Sequence, residues 1–299
     1  MAAGLALAFD LGGTNLRAAV IDAAGTVLRR NAEPTDVNGG PKAIIAQMLH
    51  LADQLGGLEE IAAAGIAAPG PLDSGSGRII GIPTLPGWEN YPLRDAMADK
   101  LARPVVLEND GIAAAYGEWN FGAGRGLSHM IYVTVSTGIG GGVIADGKVL
   151  RGQRGMAGHI GHMMIAADGP RCACGGTGCF EAMASGTAFS AAARHAGYGD
   201  ASMAVKAARQ GDANALALVE RQADLLGYGF ASLLHLYAPQ RLVVGGGVSD
   251  ALDLMQARIH AQIERHAMPP FRGIGILKAE LDGNSGLVGA AALALASAG

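Results

Sequence analysis

Residues 5–21 read LALAFDLGGTNLRAAVI, in which a glycine-rich turn separates two apolar runs. The runs predict two antiparallel strands, Leu5–Phe9 and Arg17–Ile21, joined by the turn as a hairpin. Residues 129–146 read HMIYVTVSTGIGGGVIAD and repeat this arrangement, with Thr137–Gly142 as the turn. The same pattern, a strand followed by a Thr/Gly turn and a returning strand, therefore occurs twice. This repetition predicts a duplicated domain rather than two unrelated ones.

The rest of the chain alternates between helical and extended patterns, bounded by glycine and proline. We predict further strands at 27–32, 61–68, 104–107, 241–244 and 274–280. We predict helices at 41–55, 95–102, 111–120, 182–195, 213–237, 251–266 and 286–298, and a loop from Pro69 to Trp88. Strands that alternate with helices predict an α/β fold with mixed sheets. A chain of 299 residues is long enough for two domains with a shared cleft.

Composition excludes several classes of protein. Half of the residues are hydrophobic and 16% are charged, which predicts a large core and no extensive disorder. A net charge of -4 argues against a nucleic-acid partner, because phosphate neutralisation needs a basic face. No run approaches the roughly 18 apolar residues that span a bilayer. The start, MAAGLALAFDLGG, lacks the basic segment of a secretion signal, so we expect a soluble cytoplasmic protein.

One stretch carries every cysteine of the chain. Cys172, Cys174 and Cys179 lie within eight residues, and His162 precedes them by ten. Three thiols and an imidazole form a ligand set that zinc prefers, and glycines at 175, 176 and 178 allow a tight fold around one ion. Three unrelated buried thiols or a disulfide are the alternatives. The clustering with His162 favours zinc.

Three glycine turns follow predicted strands, at Asp10–Thr14, Thr137–Gly142 and Gly245–Ser249. Backbone N–H groups of such turns surround phosphate oxygens, and the carboxylate of Asp10 can hold Mg²⁺. The third turn opens a helix, where the amides and the helix dipole favour an anion or a nucleotide edge. A plain hairpin is the alternative for the first turn alone. Together the three turns predict a nucleotide held between two domains.

Asn109 and Asp110 follow the predicted strand at 104–107, at the end where α/β proteins place ligands. A carboxylate at this position can accept a proton from an attacking hydroxyl, as an aspartate does in kinases. The alternative is a helix N-cap, and one residue pair can serve both purposes.

With these motifs placed, the chain resembles the ROK family of sugar kinases and sugar-responsive repressors, part of the actin-like ATPase superfamily. DLGGTNLR resembles the first phosphate motif, STGIGGG the second, VVGGGVS the adenosine motif and ENDGIAAAYGE the catalytic segment. GHIGH and CACGGTGCFEAMASG resemble the sugar and zinc signature. The resemblance implies a ribonuclease H-like fold of two domains, a smaller one at 1–117 plus 284–299 and a larger one at 118–283. It also implies ATP, Mg²⁺ and a structural Zn²⁺, and a homodimer or homotetramer.

The resemblance also implies a role for each matched residue. Asp110 is implied as the base for the 6-hydroxyl of the sugar, with Asn109 holding neighbouring hydroxyls. Glu181 is implied to bind hydroxyls near the anomeric carbon, and His162 to contact both zinc and sugar. The other implied residues are the nucleotide contacts Asp10, Gly12, Gly13, Thr14, Asn15, Thr137, Gly138, Gly245, Gly246 and Gly247, the sugar contacts His159, Thr84 and Gly70, and the zinc ligands His162, Cys172, Cys174 and Cys179.

The sequence departs from the family's glucokinases at two places. His159 stands where those enzymes usually carry Glu, and Thr84 stands in a loop where they tend to carry Asn. The AGHIGH form resembles bacterial N-acetylmannosamine kinases, whereas LPGWENYPL resembles the glucokinase branch. We therefore expect N-acetylmannosamine as substrate, with glucose as the alternative. A sugar-sensing regulator is the alternative of another class, disfavoured because the first phosphate motif begins at Asp10 and leaves no room for a DNA-binding segment.

Overall fold

A computed structural model describes residues 4–82, 85–281 and 283–298. These residues form an α/β fold with mixed sheets, as the sequence predicts. The strands are β1 (Leu5–Leu11), β2 (Asn15–Asp22), β3 (Val27–Pro34), β4 (Ile61–Ala68), β5 (Leu72–Asp73), β6 (Arg78–Ile79), β7 (Val105–Asn109), β8 (Met130–Val135), β9 (Ile139–Ala145), β10 (Lys148–Val149), β11 (Arg241–Gly245) and β12 (Gly275–Lys278).

The helices lie between and after these strands. The α-helices are α1 (Gly40–Leu55), α2 (Leu93–Leu101), α3 (Asp110–Phe121), α4 (Phe180–Ala184), α5 (Gly186–His195), α6 (Ala201–Arg209), α7 (Ala213–Tyr237), α8 (Leu252–His266) and α9 (Ser285–Ala298). Short 3-10 helices occur at Leu58–Glu60, Gln153–Gly155, Ile160–His162, Gly247–Ala251 and Pro269–Phe271.

The chain divides into two compact units. As far as the residues are described, the first consists of Met1–Gly126, Lys148–Gly158 and Glu280–Gly299, and the second of Leu127–Gly147 and His159–Ala279. The functional division expected at 117/118 and 283/284 stays a prediction.

The sheet of the first unit has the strand order β3-β2-β1-β4-β7. β1 and β2 form an antiparallel hairpin, while β1, β4 and β7 run parallel to one another. The carboxyl ends of the three parallel strands therefore meet at one edge, which is where ligands bind in sheets of this kind. Asp10, Ala67 and Glu108 occupy successive partner positions at this edge.

The sheet of the second unit repeats this plan. Its strands follow the order β9-β8-β11-β12, with β8 antiparallel to β9 and parallel to β11, which is in turn parallel to β12. This order matches β2-β1-β4-β7 strand for strand. The duplication that the two hairpin motifs predict is thus present in the strand order.

The core of the first unit lies on both faces of its sheet, because side chains of β1 alternate between them. Leu7 and Phe9 point into one cluster, packed against α1 and α2. Ala6 and Ala8 point into the other, packed against α9. Burial of each large apolar side chain contributes about 1.5–3 kcal/mol, whereas the alanines let α9 approach the sheet closely. Asp10 continues the even-numbered set and so lies towards the first turn of α9.

A buried carboxylate fixes α9 to α3. Glu118 is fully buried and accepts hydrogen bonds from the N–H groups of Ala123, Glu280 and Leu281 at 3.0–3.1 Å and from the Ser285 hydroxyl at 2.8 Å. Four donors satisfy both of its oxygens, which makes burial of the charge tolerable.

Three predicted elements differ in the structure. The helix expected at 182–195 is two helices, because Ser185 is extended (φ −66°, ψ 163°) and its hydroxyl caps α5 by accepting the Ala188 N–H at 3.2 Å. The glycine run after Gly138 belongs to β9 rather than to the turn, since ladder hydrogen bonds need no side chains. The loop expected before Trp88 contains the short hairpin β5-β6.

No helix within the described part of the chain is both long and apolar enough to cross a bilayer.

Candidate active site

The first glycine turn lies at the tip of the β1-β2 hairpin. The pairing ends at Leu11 and Leu16, and the Gly12 N–H donates to the Asn15 carbonyl at 3.0 Å. Gly13, Thr14 and Asn15 are exposed, so their backbone is accessible to a ligand. This is the geometry that a phosphate-binding turn requires.

Asp10 has a partner that the sequence analysis did not identify. Arg17 lies opposite Asp10 in the hairpin, and its Nη1 is 3.0 Å from the carboxylate Oδ2. Burial raises the pKa of Asp10 above its ordinary value, although the Arg17 guanidinium opposes this. The hairpin register was the available signal, since residues at 10 and 17 pair when the strands end at 11 and 16.

Asn109 and Asp110 lie where β7 ends and α3 begins. The Asn109 side-chain oxygen caps α3, accepting the N–H groups of Gly111 at 3.1 Å and Ile112 at 3.3 Å. Asp110 Oδ1 accepts the Gly111 N–H at 2.8 Å. The N-cap alternative is therefore confirmed, and the Asn109 side chain also hydrogen-bonds to the Asp110 carboxylate.

Asp110 is a carboxyl group whose environment raises its pKa. Burial and then the charge of Asp10 raise the pKa of Asp110 from 3.8 to about 6. Backbone N–H donors and the Asn109 side chain lower the pKa of Asp110 but do not cancel the effect. Such a carboxylate is still ionised at neutral pH, yet it is far more basic than an exposed aspartate, as a general base requires.

Glu108, which immediately precedes Asn109 in β7, is a buried carboxylate paired with an exposed arginine. Glu108 is 2% exposed, and its Oε2 lies 3.0 Å from Arg151 Nε. Its Oε1 accepts the Asn109 N–H at 3.0 Å. Burial raises the pKa of Glu108, and Arg151 opposes the rise. The pair joins the Lys148–Gly158 segment to the end of β7, and no local sequence pattern could have revealed it.

In the second unit, the predicted zinc ligands come together. The ligand atoms of His162, Cys172, Cys174 and Cys179 all lie within 4.8 Å of one another, and all three cysteines are free. Cys174 Sγ is 3.6 Å from Cys179 Sγ, and Cys172 Sγ is 3.7 Å from His162 Nδ1. Neither a disulfide nor three separate thiols describes this arrangement.

The Cys174–Cys179 and Cys172–His162 spacings are close to those around a tetrahedral ion. Ligands at Zn–S distances of about 2.3 Å are about 3.7 Å apart in a tetrahedron. In the chain alone, burial and then the neighbouring thiols raise the pKa of Cys179 to about 12, whereas the Gly176 N–H lowers the pKa of Cys174. Adjacent thiolates repel one another, so three ionised cysteines here require a cation.

Glu181 connects this cluster to the second glycine turn. It lies in the first turn of α4, and its Oε2 accepts the Ile139 N–H at 3.0 Å. Its Oε1 is 4.0 Å from Cys172 Sγ. One carboxylate thus contacts the start of β9 and the predicted metal ligands.

The two histidines of the AGHIGH motif stack. The ring centroids of His159 and His162 are 6.3 Å apart at an interplanar angle of 26°. His162 turns Nδ1 towards Cys172, which leaves Nε2 on the opposite side of its ring. Partial burial and then the His162 ring lower the pKa of His159, so His159 is neutral at pH 7.

The third turn begins with the last residue of β11. Gly246 has φ 81°, and a side chain there would lie 2.4 Å from the Val135 carbonyl oxygen at the end of β8. Ser249 closes the turn, since its hydroxyl donates to the Gly246 carbonyl at 2.7 Å. Thr137, Gly138 and this turn therefore lie at the same end of the second sheet.

Two predicted sugar contacts remain. Gly70 follows β4 closely, whose last residue Ala68 pairs with Asn109, so Gly70 is at the same sheet edge as Asp110. Thr84 lies outside the described residues. The structure thus groups Asp10, Gly70, Asn109 and Asp110 in the first unit and Thr137, Glu181 and His162 in the second.

The chain is similar to known proteins over nearly its whole length. The chain matches the model of the ROK family over residues 6–297. It is 34% identical to the glucokinase of Thermotoga maritima, with 95% of each chain covered. It is 36% identical to the N-acetylmannosamine kinase of Escherichia fergusonii, with 96% of this chain and 97% of that protein covered. The crystal structure of a ROK family glucokinase from Streptomyces griseus, in complex with glucose and AMPPNP, has a TM-score of 0.86 at 33% identity and covers 98% of this chain and 100% of that one.

Proposed function

The chain belongs to the ROK family and is a sugar kinase, and we propose that it phosphorylates the 6-hydroxyl of N-acetylmannosamine with ATP. The observation that carries the proposed chemistry is Asp110, a carboxylate at the end of β7 whose pKa is raised to about 6. The fold is that of ROK sugar kinases, as the resemblance implied.

In the proposed reaction, Asp110 accepts the proton of the sugar 6-hydroxyl. The hydroxyl oxygen forms a bond to the γ-phosphorus, and the bond between that phosphorus and the bridging oxygen breaks. ADP leaves with the electron pair, so the products are ADP and the sugar 6-phosphate. General-base catalysis of this kind contributes about 10²–10⁴ in rate, and positioning contributes the rest.

Asp10 and the glycine turns are the proposed nucleotide site. Bound Mg²⁺ neutralises phosphate charge, and the Asp10 carboxylate would hold it, directly or through water. The chemistry of the site supports this assignment, because the charge of Asp10 raises the pKa of Asp110 and a cation offsets that repulsion. Gly12–Asn15, Thr137–Gly138 and Gly245–Gly247 provide the backbone around phosphates and adenosine.

The sugar contacts follow the resemblance. His162 Nε2 has no role in the thiol cluster and suits a sugar hydroxyl. The Asn109 side chain, which caps α3 and hydrogen-bonds to Asp110, is proposed to hold the neighbouring hydroxyls. Glu181 is proposed to accept from hydroxyls near the anomeric carbon. Thr84 and Gly70 are proposed as further sugar contacts.

The cysteine cluster is the proposed zinc site. Four protein ligands fill a tetrahedron, which makes the ion structural rather than catalytic. Ligation through Nδ1 fixes the ring of His162 and so orients its Nε2. A homodimer or homotetramer is proposed as the assembly.

His159 supports N-acetylmannosamine over glucose. A carboxylate only accepts hydrogen bonds, whereas an imidazole can also donate one. Replacing the Glu of glucokinases by His159 therefore changes which hydroxyl or amide group near carbon 2 of the sugar can be bound. Glucokinase is the second candidate, favoured by the LPGWENYPL run and by relatives of that name at nearly the same identity.

The test is an ADP-release assay with glucose, mannose, N-acetylglucosamine and N-acetylmannosamine. We expect the highest kcat/KM with N-acetylmannosamine, and a shift towards glucose of about 10-fold or more in His159→Glu. His195→Glu, at the exposed end of α5, is the matched control and should keep the wild-type preference. No turnover with any of the four sugars contradicts the proposed substrates. A wild-type preference for glucose contradicts the role of His159.

A further inference from the structure

The second glycine turn is held from outside by the start of α5. The Thr187 hydroxyl donates to the Thr137 carbonyl at 2.7 Å, and the Gly186 N–H donates to the Ser136 carbonyl at 2.7 Å. A side chain at position 186 would lie 2.5 Å from the Ser136 oxygen, so only glycine permits this approach. Two successive carbonyl groups of the turn are therefore fixed by neighbours that are 50 residues away in sequence.

The first glycine turn is held in the same way. The Thr35 hydroxyl donates to the Gly12 carbonyl at 2.7 Å, and the Thr35 N–H donates to the Thr14 carbonyl at 3.0 Å. Thr35 is 8% exposed and follows β3, outside the hairpin that it contacts. Each duplicated unit thus uses one threonine hydroxyl to hold a carbonyl of its own glycine turn.

Holding a carbonyl fixes the direction of the next N–H group. In a planar trans peptide, the C=O of one residue and the N–H of the next point to opposite sides. Thr35 therefore orients the N–H of Gly13, and Thr187 orients the N–H of Gly138. Across 4–82, 85–281 and 283–298, neither of these N–H groups has an acceptor, so both are available to a bound anion.

We propose that Thr35 and Thr187 are positioning residues that aim the N–H groups of Gly13 and Gly138 at the phosphates of the nucleotide. The inference rests on the proposed use of both turns for ATP. Glycine peptides rotate easily, so without the hydroxyl bond the N–H samples other directions and the bound state must select the right one. Loss of one such hydrogen bond weakens ATP binding by about 2- to 10-fold.

The experiment compares Thr35→Val and Thr187→Val, singly and together, with Thr35→Ser and Thr187→Ser. Valine keeps the shape and removes the hydroxyl, whereas serine restores the hydroxyl. The Kd for Mg-ATP is measured by calorimetry without sugar, and KM values for ATP and sugar are measured separately. Ser232→Ala is the matched control, because its hydroxyl also donates to a backbone carbonyl, that of Tyr228 at 3.2 Å within α7.

We expect each valine variant to raise the Kd and KM for ATP about 2- to 10-fold, the double variant to combine both losses, and KM for sugar to stay unchanged. Serine at either position should restore wild-type values, and Ser232→Ala should match wild type. Gly138→Ala places a methyl group 2.3 Å from Glu181 Oε2, so the end of the Glu181 side chain must move. The methyl group beside the Gly138 N–H should weaken ATP binding, and KM for sugar should rise as well because Glu181 is a proposed sugar contact. Normal ATP affinity in the valine variants, with Gly138→Ala impaired, overturns the role of the threonines alone. Normal affinity in all of them overturns the nucleotide role of the second turn as well.

Discussion

The two glycine turns share a scaffold and differ in their surroundings. Each closes a hairpin at the same place in a repeated strand order, and each is held by a threonine hydroxyl at 2.7 Å. The first turn adjoins the Asp10–Arg17 ion pair and the charge of Asp10 acts on Asp110. The second turn has no charged residue of its own and is backed by Glu181.

The difference shows how the duplicated scaffold separates two tasks. The repeated hairpin supplies backbone N–H groups in both units. These groups depend on the conformation of the turn and not on particular side chains. Charge is added in the first unit, where a base and a cation site are proposed. A ligand cluster of cysteines and histidine is added in the second, where a structural metal and sugar contacts are proposed. Variants of the added charges and variants of the added ligand cluster should therefore change different observables, whereas Thr35→Val and Thr187→Val should both weaken ATP binding.

Asp110→Asn should break the first unit's task alone. We expect kcat to fall by about 10³-fold or more, because the amide cannot accept the proton, while the Kd for sugar changes little. Turnover and calorimetric sugar binding measure the two quantities. Asp146→Asn, in a position where the side chain is 91% exposed, serves as control and should keep wild-type kcat. Loss of sugar binding in Asp110→Asn would make Asp110 a ligand rather than a base.

Cys174→Ser should break the second unit's task alone. Zinc content should drop from about one ion per chain, and KM for sugar should rise about 10-fold or more because His162 is no longer oriented. Metal analysis and steady-state kinetics measure these effects, with Ala173→Ser in the same loop as the matched control. A stable and active wild-type protein that contains no zinc would refute the metal assignment.

The raised pKa of Asp110 has a consequence for stability. A carboxyl group whose pKa is higher in the folded state stabilises the fold fully below its unfolded value of 3.8, and this contribution is lost as the pH rises through about 6. Asp110→Asn removes the buried charge and should raise the free energy of unfolding at pH 8 by about 2 kcal/mol. The advantage should shrink as the pH falls to 4.5. Denaturant unfolding at both pH values measures it, and a variant less stable than wild type at pH 8 would contradict the assigned cause.

Much of the fold could be predicted because the periodicity of apolar residues and the turn residues are visible in short stretches of sequence. The two hairpins are predicted by apolar runs on either side of a glycine turn, a pattern that occurs twice. Most of the helices are predicted by the helical spacing of their apolar residues. The break at Ser185 was missed because its neighbours have helical propensity, and only the cap reveals the end. The strand character of the glycines after Gly138 was missed because pairing with β8, not propensity, decides it.

In the candidate site, too, features of short sequence stretches could be predicted, whereas contacts between distant residues could not. The place of Asn109 and Asp110 after β7 and the clustering of His162 with the three cysteines could be predicted, because short spacing and residue chemistry identify them. Their catalytic and metal-binding roles stay predictions. The partners that position site residues could not be predicted, since Arg151 reaches Glu108 over 43 residues and Thr187 reaches Thr137 over 50. Arg17 is the exception, because hairpin register places it opposite Asp10. Tertiary contacts of this kind are set by the packing of whole elements.

The most direct test of Asp110 as the base is the pH profile of kcat/KM, which reports the pKa of essential groups in the free enzyme. We predict that kcat/KM for sugar falls tenfold per pH unit below an apparent pKa near 6, as Asp110 takes up a proton. His159→Gln should keep this inflection, whereas the residual activity of Asp110→Asn should lack it. A flat profile between pH 5 and 7.5, or an unchanged inflection in Asp110→Asn, would contradict the assignment of Asp110 as the base.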